Sequence, residues 1–178
     1  MPAKRAVDLT ASVILLLALS PVLFTVAVAV ALTSPGPVLI RRERTGLGGR
    51  TFAMLTFRTR RAGPVRDLTP AGRLLRRHLL DGLPQLLNVA RGEMSLVGPR
   101  PLPPQGSRPA VGAARARLGV RPGITGLWQV SGRSELPWEE MAVLDLHYVE
   151  QHWLGLDLLI LARTVPAAVA GRRSVRVA

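Results

Sequence analysis

One aspartate stands out among the residues that could do chemistry. Asp81 lies between two helical patterns, in a region that is otherwise strongly basic. A carboxylate there is a candidate nucleophile, which would hold a phosphoryl group as an aspartyl-phosphate, or a ligand for magnesium. The alternative is a structural role as N-cap of the helix that Leu83-Pro84 opens. The two roles are compatible, because the positive end of a helix also attracts phosphate.

Two motifs rich in proline and glycine could bind an anion. Gly98-Pro99-Arg100-Pro101 fixes the backbone around one arginine, which suits a phosphate clamp or, alternatively, a structural turn with a solvated arginine. Arg121-Pro122-Gly123-Ile124-Thr125-Gly126 offers backbone N–H groups near a hydroxyl, as an anion nest does. Gly132-Arg133 follows it. None of these motifs is specific by itself.

The composition excludes several kinds of site. The chain has 178 residues, typical of one domain, and no cysteine, which excludes disulfides, a thiol nucleophile and thiolate metal sites. Three histidines leave little for a histidine-built metal site. Apolar residues make up 48%, which excludes a wholly disordered chain. Met94, Trp128 and Trp138 are more typical of core or interface packing than of a cofactor site.

The net charge of +13 is concentrated in the centre of the chain. Residues 41–117 carry sixteen arginines against four acidic residues, whereas residues 1–40 have a net charge of +1 and residues 118–178 of zero. A guanidinium pairs two phosphate oxygens at once, so the pattern favours a surface for phosphate-bearing ligands over a merely solvated face. A nucleic-acid binder would share the charge, but no recognition motif is present and aromatic residues make up only 4%.

An uncharged apolar run lies near the N-terminus. No charged residue occurs between Asp8 and Arg41, and Leu9 to Leu32 would reach ~36 Å as a helix, enough for a hydrocarbon core of ~30 Å. A spanning helix and a signal peptide cleaved after Ala29-Val30-Ala31 are two interpretations. A re-entrant hairpin is the third, because the proline of Ser20-Pro21 kinks a helix and the serine can satisfy a freed backbone group. Basic flanks fit two cytoplasmic ends.

The elements that must position these residues are short. Thr69-Pro70 is a strong helix start, with threonine as N-cap and proline in the first turn. The segment 153–170 is apolar enough to lie at a bilayer interface, anchored by Trp153, or to be a core helix. The patterns predict helices at 69–80, 83–89, 110–118 and 137–152, strands at 38–40, 51–59 and 127–130, and turns at 46–49 and 121–126.

Six motifs together resemble those of the bacterial sugar transferases, which are monotopic polyprenol-phosphate phosphoglycosyl transferases. They keep the family's order and cover nearly everything after residue 7. The motifs are LTSPGPVLIRRERTGLGGRTF at 32–52, FRT at 57–59, LTPAGRLLRRHLLDGLPQLLNV at 68–89, GEMSLVGPRP at 92–101, RPGITGLWQVSGRS at 121–134 and LDLHYVEQHWLGLDLLILARTVP at 144–166.

The resemblance implies a fold and a location in the cell. The fold would be mixed α/β and mostly helical, with a re-entrant membrane helix hairpin at 1–35 that bends at Ser20-Pro21. A small cytoplasmic catalytic domain at 36–178 would follow, with a few short strands and helices on the membrane surface. The protein would lie at the cytoplasmic face of the inner membrane. Longer members carry an extra membrane portion ahead of this unit, so a minimal catalytic form is expected.

The resemblance also implies a two-step reaction. Asp81 would attack the β-phosphate of a UDP-sugar, UMP would leave, and undecaprenyl phosphate would then take the phosphosugar from the aspartate. Magnesium would neutralise the diphosphate, with Asp81 as a ligand. The product, undecaprenyl-diphosphate-sugar, would start a surface polysaccharide, and the sequence does not specify the sugar. The residues expected to bind substrate or phosphate are Arg58, Arg100, Pro101, Thr125, Gly126 and Arg133.

The chain departs from the family pattern close to the expected active site. Gly82 follows Asp81 where the family has a glutamate associated with the metal. Thr56 replaces a lysine, and Arg42 replaces a glutamine, which partly restores the lost charge. These departures leave a second hypothesis open, in which the chain is a catalytically impaired member that acts as a membrane-bound binding or scaffold protein.

Overall fold

The fold is mixed α/β and mostly helical, as predicted. A computed structural model describes residues 2–61, 67–104, 113–131 and 138–170. The helices are α1 (Pro2–Ala18), α2 (Ser20–Thr33), α3 (Pro70–Arg77), α4 (Gln85–Arg91), α5 (Ala113–Ala116), α6 (Leu127–Val130), α7 (Trp138–Gln151) and α8 (Leu154–Ala170). The strands are β1 (Leu39–Thr45), β2 (Thr51–Phe57), β3 (Ser95–Val97) and β4 (Gly123–Thr125).

The strands form two small sheets. β1 and β2 make an antiparallel hairpin whose register runs from Leu39 opposite Phe57 to Thr45 opposite Thr51. β3 and β4 pair in parallel. The prediction that the first strand ends at 40 was wrong, because β1 continues through its charged residues to Thr45. Long arginine side chains are tolerated there, since they remain exposed or half-buried while the backbone pairs with β2.

Two local predictions were wrong around the second sheet. The predicted turn at 121–126 contains β4, and the predicted strand at 127–130 is the helix α6. β4 forms because its backbone lies against Gly98: a Cβ built on Gly123 would stand 2.1 Å from the Gly98 nitrogen. This close approach is tertiary, and no local pattern within 121–130 indicates it.

The helices before and after Asp81 follow the predictions closely. Thr69 caps α3 by accepting the N–H of Gly72 at 2.8 Å, and Pro70 occupies the first turn. α3 ends at Arg77 rather than near residue 80, because Leu79 adopts a left-handed backbone with φ of +58°. α4 ends at Gly92, whose φ of +89° makes it a C-cap. The helix predicted at 110–118 is shorter, with α5 followed by a 3-10 turn at Arg117–Gly119.

The buried apolar residues form two clusters. The larger lies between β2, α4, the second sheet, α7 and α8, and it includes Met94, as the sequence predicted. The smaller joins α2 to β2 and α3 through Val26, Val30, Phe57 and Leu75. Asn88, fully buried, ties α4 to β2 by accepting the N–H of Leu55 at 3.0 Å. α3 and α4, which flank Asp81, are therefore held against the same strand.

α1 and α2 form a bent pair. The two helices meet at 63°, and among the described residues no single helix is long and apolar enough to cross a membrane, although this pair satisfies the length and composition criteria together. Pro21 has no N–H for the carbonyl of Leu17, and the Ser20 hydroxyl donates to that oxygen at 2.8 Å. The predicted kink, and the predicted role of Ser20 within it, are confirmed.

The charged start of α1 is docked into the body of the protein. Lys4 forms an ion pair with Asp157 of α8 and donates to the Val97 carbonyl at 3.2 Å. Arg5 donates to the Val89 carbonyl at 2.7 Å. Asp8 accepts the Ser95 hydroxyl at 2.7 Å. The segment 1–35 therefore shares its packing with the rest of the chain, and the domain boundary at 35 stays a prediction.

Candidate active site

Asp81 lies in the short connection between α3 and α4. Leu80–Gly82 forms a 3-10 turn, and the strained left-handed Leu79 turns the chain into it. Pro84 occupies the N-cap of α4. The structural alternative for Asp81, an N-cap of this helix, is therefore wrong. The side chain is half-buried, which suits a carboxylate that must meet a ligand.

α3 holds the connection against the end of β2. Gly72 approaches so closely that a Cβ at this position would lie 2.0 Å from the Thr59 carbonyl oxygen. Arg76, in the last turn of α3, donates from Nε to the Thr59 hydroxyl at 3.1 Å. Leu80 and Leu83 pack on the smaller apolar cluster. These contacts fix the position of Asp81 relative to the strand hairpin.

Arg76 is coupled electrostatically to Asp81 and to arginines of two other elements. Burial lowers the pKa of Arg76, the guanidinium of Arg60 and, less strongly, that of Arg42 lower it further, and the Asp81 carboxylate acts in the opposite direction. Arg42 comes from β1 and Arg60 from the segment after β2, where it pairs with Leu68. Several guanidinium groups that act on one another make a region of positive potential, which attracts phosphate.

The positive region continues along β1 to the Gly98-Pro99-Arg100-Pro101 motif. Burial lowers the pKa of Arg44, and the guanidinium groups of Arg42 and Arg100 lower it further. The chain after Arg100 runs beside the end of β1, since Thr45 donates its N–H to the Leu102 carbonyl at 2.9 Å. Pro101, between them, is half-buried. β1 thus connects Arg42, which acts on Arg76, with the predicted phosphate clamp.

Arg100 is held by its backbone and by an aromatic ring. Its guanidinium lies 4.9 Å from the ring centroid of the buried Trp128, a cation–π contact, while the side chain remains exposed. Its N–H donates to Asp145 at 3.3 Å and its carbonyl accepts from Arg117 at 3.2 Å. Arg117 and Asp145 form a buried ion pair. The arginine is therefore presented on a rigid support, as a clamp requires.

Two of the predicted binding residues have structural partners. Arg58 is buried and donates to the carbonyls of Val30, Ser34 and Pro35, so it closes the end of α2. Thr125 is buried and shares a hydrogen bond of 2.9 Å with the hydroxyl of Thr164 on α8. Because Thr164 donates its own proton to Ile160, Thr125 is the donor. Their predicted contacts with substrate stay predictions.

Two further predicted binding residues, Gly126 and Arg133, belong to the 121–134 motif. Gly126 is needed for close packing, since a Cβ there would lie 2.4 Å from the Gly98 carbonyl oxygen. It brings the start of α6, and with it Trp128, against the motif that carries Arg100. Arg133 lies outside the described residues.

The residues around Asp81 do not make a metal site by themselves. No group of three His, Asp or Glu side chains that could hold a metal occurs within residues 2–61, 67–104, 113–131 and 138–170. Gly82 contributes no ligand, and the charged groups that act on Arg76 beside Asp81 are arginines. A Cβ on Gly82 would meet only the flexible end of Gln85, at 3.2 Å, so there is space for a side chain here. Magnesium stays a prediction.

Sequence reasoning did not single out Arg60, Arg76 or Asp145. Arg76 lies five residues before Asp81, outside the spacings of three and four at which side chains meet on a helix, so helical spacing did not indicate it. The alternation of Arg42 and Arg44 along β1 could have indicated a shared face, had the strand been extended past residue 40. Arg60 and Asp145 are brought in by tertiary packing, and the sequence carries no local signal for them.

Comparison with known proteins shows the family to which the chain belongs. The bacterial sugar transferase profile matches residues 1–171. The chain is 36% identical to an exopolysaccharide production protein of Sinorhizobium fredii, covering 96% of this chain and 87% of the relative. It is 41% identical to a UDP-glucose:undecaprenyl-phosphate glucose-1-phosphate transferase of Caulobacter vibrioides, covering 92% and 68%.

A third relative is longer than this chain. It is an undecaprenyl-phosphate glucose phosphotransferase of Komagataeibacter xylinus, 42% identical over 96% of this chain but only 36% of its own length. Matches of this extent, over nearly the whole chain, show the family. The chain belongs to the bacterial sugar transferases.

Proposed function

We propose that this protein transfers a phosphosugar from a UDP-sugar to undecaprenyl phosphate, releasing UMP and starting a surface polysaccharide. The observation that carries the proposal is the half-buried carboxylate of Asp81, which is coupled to Arg76 in the connection between α3 and α4. Relatives named as sugar-1-phosphate transferases for undecaprenyl phosphate support the same chemistry.

The chemistry proceeds in two displacements at one phosphorus. A carboxylate oxygen of Asp81 attacks the β-phosphorus, and the bond from that phosphorus to the bridging oxygen breaks, so that UMP leaves with the electron pair. An oxygen of the lipid phosphate then attacks the same phosphorus and releases the carboxylate. Neither step needs a proton at the phosphorus, and the arginines stabilise the negative charge that develops on the leaving phosphate.

The lipid substrate requires a site at a membrane, and the α1–α2 pair supports one. Its outer side exposes large apolar residues, with Leu17, Phe24 and Leu32 each more than 70% exposed. Both ends of the pair attach to the same body, through Lys4 at the start and through the carbonyls that Arg58 binds at the end. A pair anchored at both ends to one body would enter and leave the bilayer on one face.

UMP release by the purified protein tests the proposal. The assay contains nanodiscs with undecaprenyl phosphate and a panel of UDP-sugars, because the sugar is open. We expect Asp81→Asn to lower the rate by at least about a thousandfold, since the nucleophile is lost. Asp67→Asn, which changes an exposed carboxylate, is the matched control. Equal rates in wild type and Asp81→Asn would contradict the nucleophile assignment.

The second hypothesis, an impaired member with a binding or scaffold role, rests on Gly82. It predicts that the folded wild type binds UDP-sugar but releases no UMP with any sugar of the panel. The same assay therefore decides between the two, provided that binding is measured on the same preparation.

A further inference from the structure

Lys4, Tyr148 and Asp157 form a cluster beside the backbone carbonyl of Val97, the last residue of β3. Lys4 donates to this oxygen from Nζ at 3.2 Å, and the Tyr148 hydroxyl lies 3.0 Å from it. The same hydroxyl lies 2.6 Å from Oδ1 of Asp157, with which Lys4 forms its ion pair. The three side chains come from α1, α7 and α8, and Tyr148 is fully buried. The cluster therefore joins the start of α1 to the end of β3.

The hydrogen bonds of this cluster make Lys4 its donor to Val97. A phenol has a single proton, and the Asp157 carboxylate at 2.6 Å is a stronger acceptor than the Val97 carbonyl at 3.0 Å. Tyr148 therefore donates to Asp157. The Lys4 ammonium has three protons, enough to reach the carboxylate, the carbonyl and the Tyr148 oxygen at 3.3 Å together. Tyr148 and Asp157 thus orient Lys4, and Lys4 holds the carbonyl.

Val97 leads directly to the predicted phosphate clamp. Only a glycine and a proline separate it from Arg100, and the proline has a fixed φ, so the connection is short and stiff. At the other end of the segment, the Arg100 N–H donates to Asp145 at 3.3 Å. Asp145 and Tyr148 are three residues apart and so lie on the same face of α7. One face of α7 therefore contacts the segment 97–100 at both ends.

We propose that Lys4 and Tyr148 are positioning residues of the Arg100 clamp. Acting through the Val97 carbonyl, they set the affinity of Arg100 for the diphosphate of a nucleotide. The inference rests on the proposed function, in which that diphosphate belongs to the UDP-sugar. A guanidinium that lies over Trp128 pairs two phosphate oxygens only if the backbone presents its fork at the right angle. The start of α1 is thereby coupled to nucleotide binding in the body of the protein.

UDP binding to the full chain in nanodiscs, with Mg²⁺ present, is the first measurement. We expect Lys4→Met to weaken binding on the order of tenfold, and Tyr148→Phe, which removes only the hydroxyl, about threefold. Ser12→Ala is the matched control, because it removes a fully buried hydroxyl of α1 that donates within its own helix, to the Leu9 carbonyl at 2.9 Å. Wild-type affinity in both Lys4→Met and Tyr148→Phe, or an equal loss in Ser12→Ala, would overturn the inference.

A double-mutant cycle separates a positioning role from a merely structural one. Arg100→Gln should itself weaken UDP binding, and in that background we expect Lys4→Met to weaken it no further, because the group that Lys4 positions is gone. The same factor in both backgrounds would mean that Lys4 acts elsewhere, and would refute the positioning role. If Lys4→Met does not fold, the cycle is made with Tyr148→Phe, which leaves the charge of Lys4 in place.

UMP release distinguishes failure of the inference from failure of the proposed function. A wild type that releases UMP, together with a Lys4→Met variant that binds UDP as tightly as wild type, would leave the proposed function standing and remove the inference. Absence of UMP release with every sugar of the panel would remove the proposed function, whereas the UDP-binding cycle would still decide whether Lys4 positions Arg100.

Discussion

At the scale of single residues, Asp145 holds the backbone of Arg100, a predicted phosphate-binding residue. Burial raises the pKa of its carboxyl to about 6, and the Arg117 guanidinium and the N–H of Arg100 oppose that shift. Its Oδ1 atom is buried without a hydrogen-bond partner in the part of the chain that the structure describes. Asp145 therefore orients Arg100, and the burial of its carboxylate costs desolvation free energy.

The raised pKa of Asp145 makes a prediction about pH. Between pH 4 and 6 the folded protein keeps the proton on Asp145, whereas the unfolded chain has released it. The contribution of Asp145 to the free energy of unfolding is therefore at its maximum below pH 4 and decreases as the pH rises to 6. The loss is on the order of 2–3 kcal/mol. Thermal melts from pH 4 to 7 should show that Asp145→Asn lacks this component. Identical pH dependence in both proteins would contradict the prediction.

At the scale of elements, three glycines allow the second sheet to form beside Arg100. Gly98, Gly123 and Gly126 bring their backbones together, and a Cβ on Gly126 would lie 2.4 Å from the Gly98 oxygen. We expect Gly126→Ala to lower the free energy of unfolding by about 1–3 kcal/mol, as overpacking does. Gly119→Ala is the control, because nothing lies within 4 Å of a Cβ there. Equal denaturation midpoints for the two variants would show that the contact is not tight.

The start of α1 is held by a partly buried ion pair that the amino-acid pattern did not indicate. Lys4 pairs with Asp157, which also accepts the Tyr148 hydroxyl at 2.6 Å. We expect Lys4→Met to lower the free energy of unfolding by about 2–4 kcal/mol, because it leaves the carboxylate buried without its cation. Arg73→Met, at an exposed site, is the control.

A double-mutant cycle shows whether the Lys4 effect belongs to the pair. If it does, Lys4→Met and Asp157→Asn together should cost less than the sum of their separate effects. Additive costs would mean that the two side chains stabilise the protein independently.

At the scale of the whole molecule, the bent pair predicts the topology of the chain in a membrane. Lys4 and Arg58 attach both ends of α1 and α2 to one body. Because the chain has no cysteine, Ala3→Cys and Arg41→Cys each create a single labelling site. We expect a membrane-impermeant maleimide to label neither in intact cells and both after permeabilisation. Labelling of only one site in intact cells would indicate a spanning segment.

The sequence by itself determined those features of the fold that local residue patterns control. The apolar run with its proline fixed the bent pair, Thr69-Pro70 fixed the start of α3, and Gly92 fixed the end of α4. Six ordered motifs were sufficient to indicate the family, and they placed Asp81 between two helices. Each of these rests on residues within a few positions of one another, where capping and backbone freedom decide the conformation.

Only the tertiary structure decided which charged groups act on one another. Arg42 and Arg60 come from elements other than α3, and the fold lets both act on Arg76. The tertiary structure also showed that Arg58 binds the backbone carbonyls at the end of α2. The physical reason is that long-range packing, and not local preference, sets which side chains meet. Charges that look alike in the sequence therefore acquire different partners in the fold.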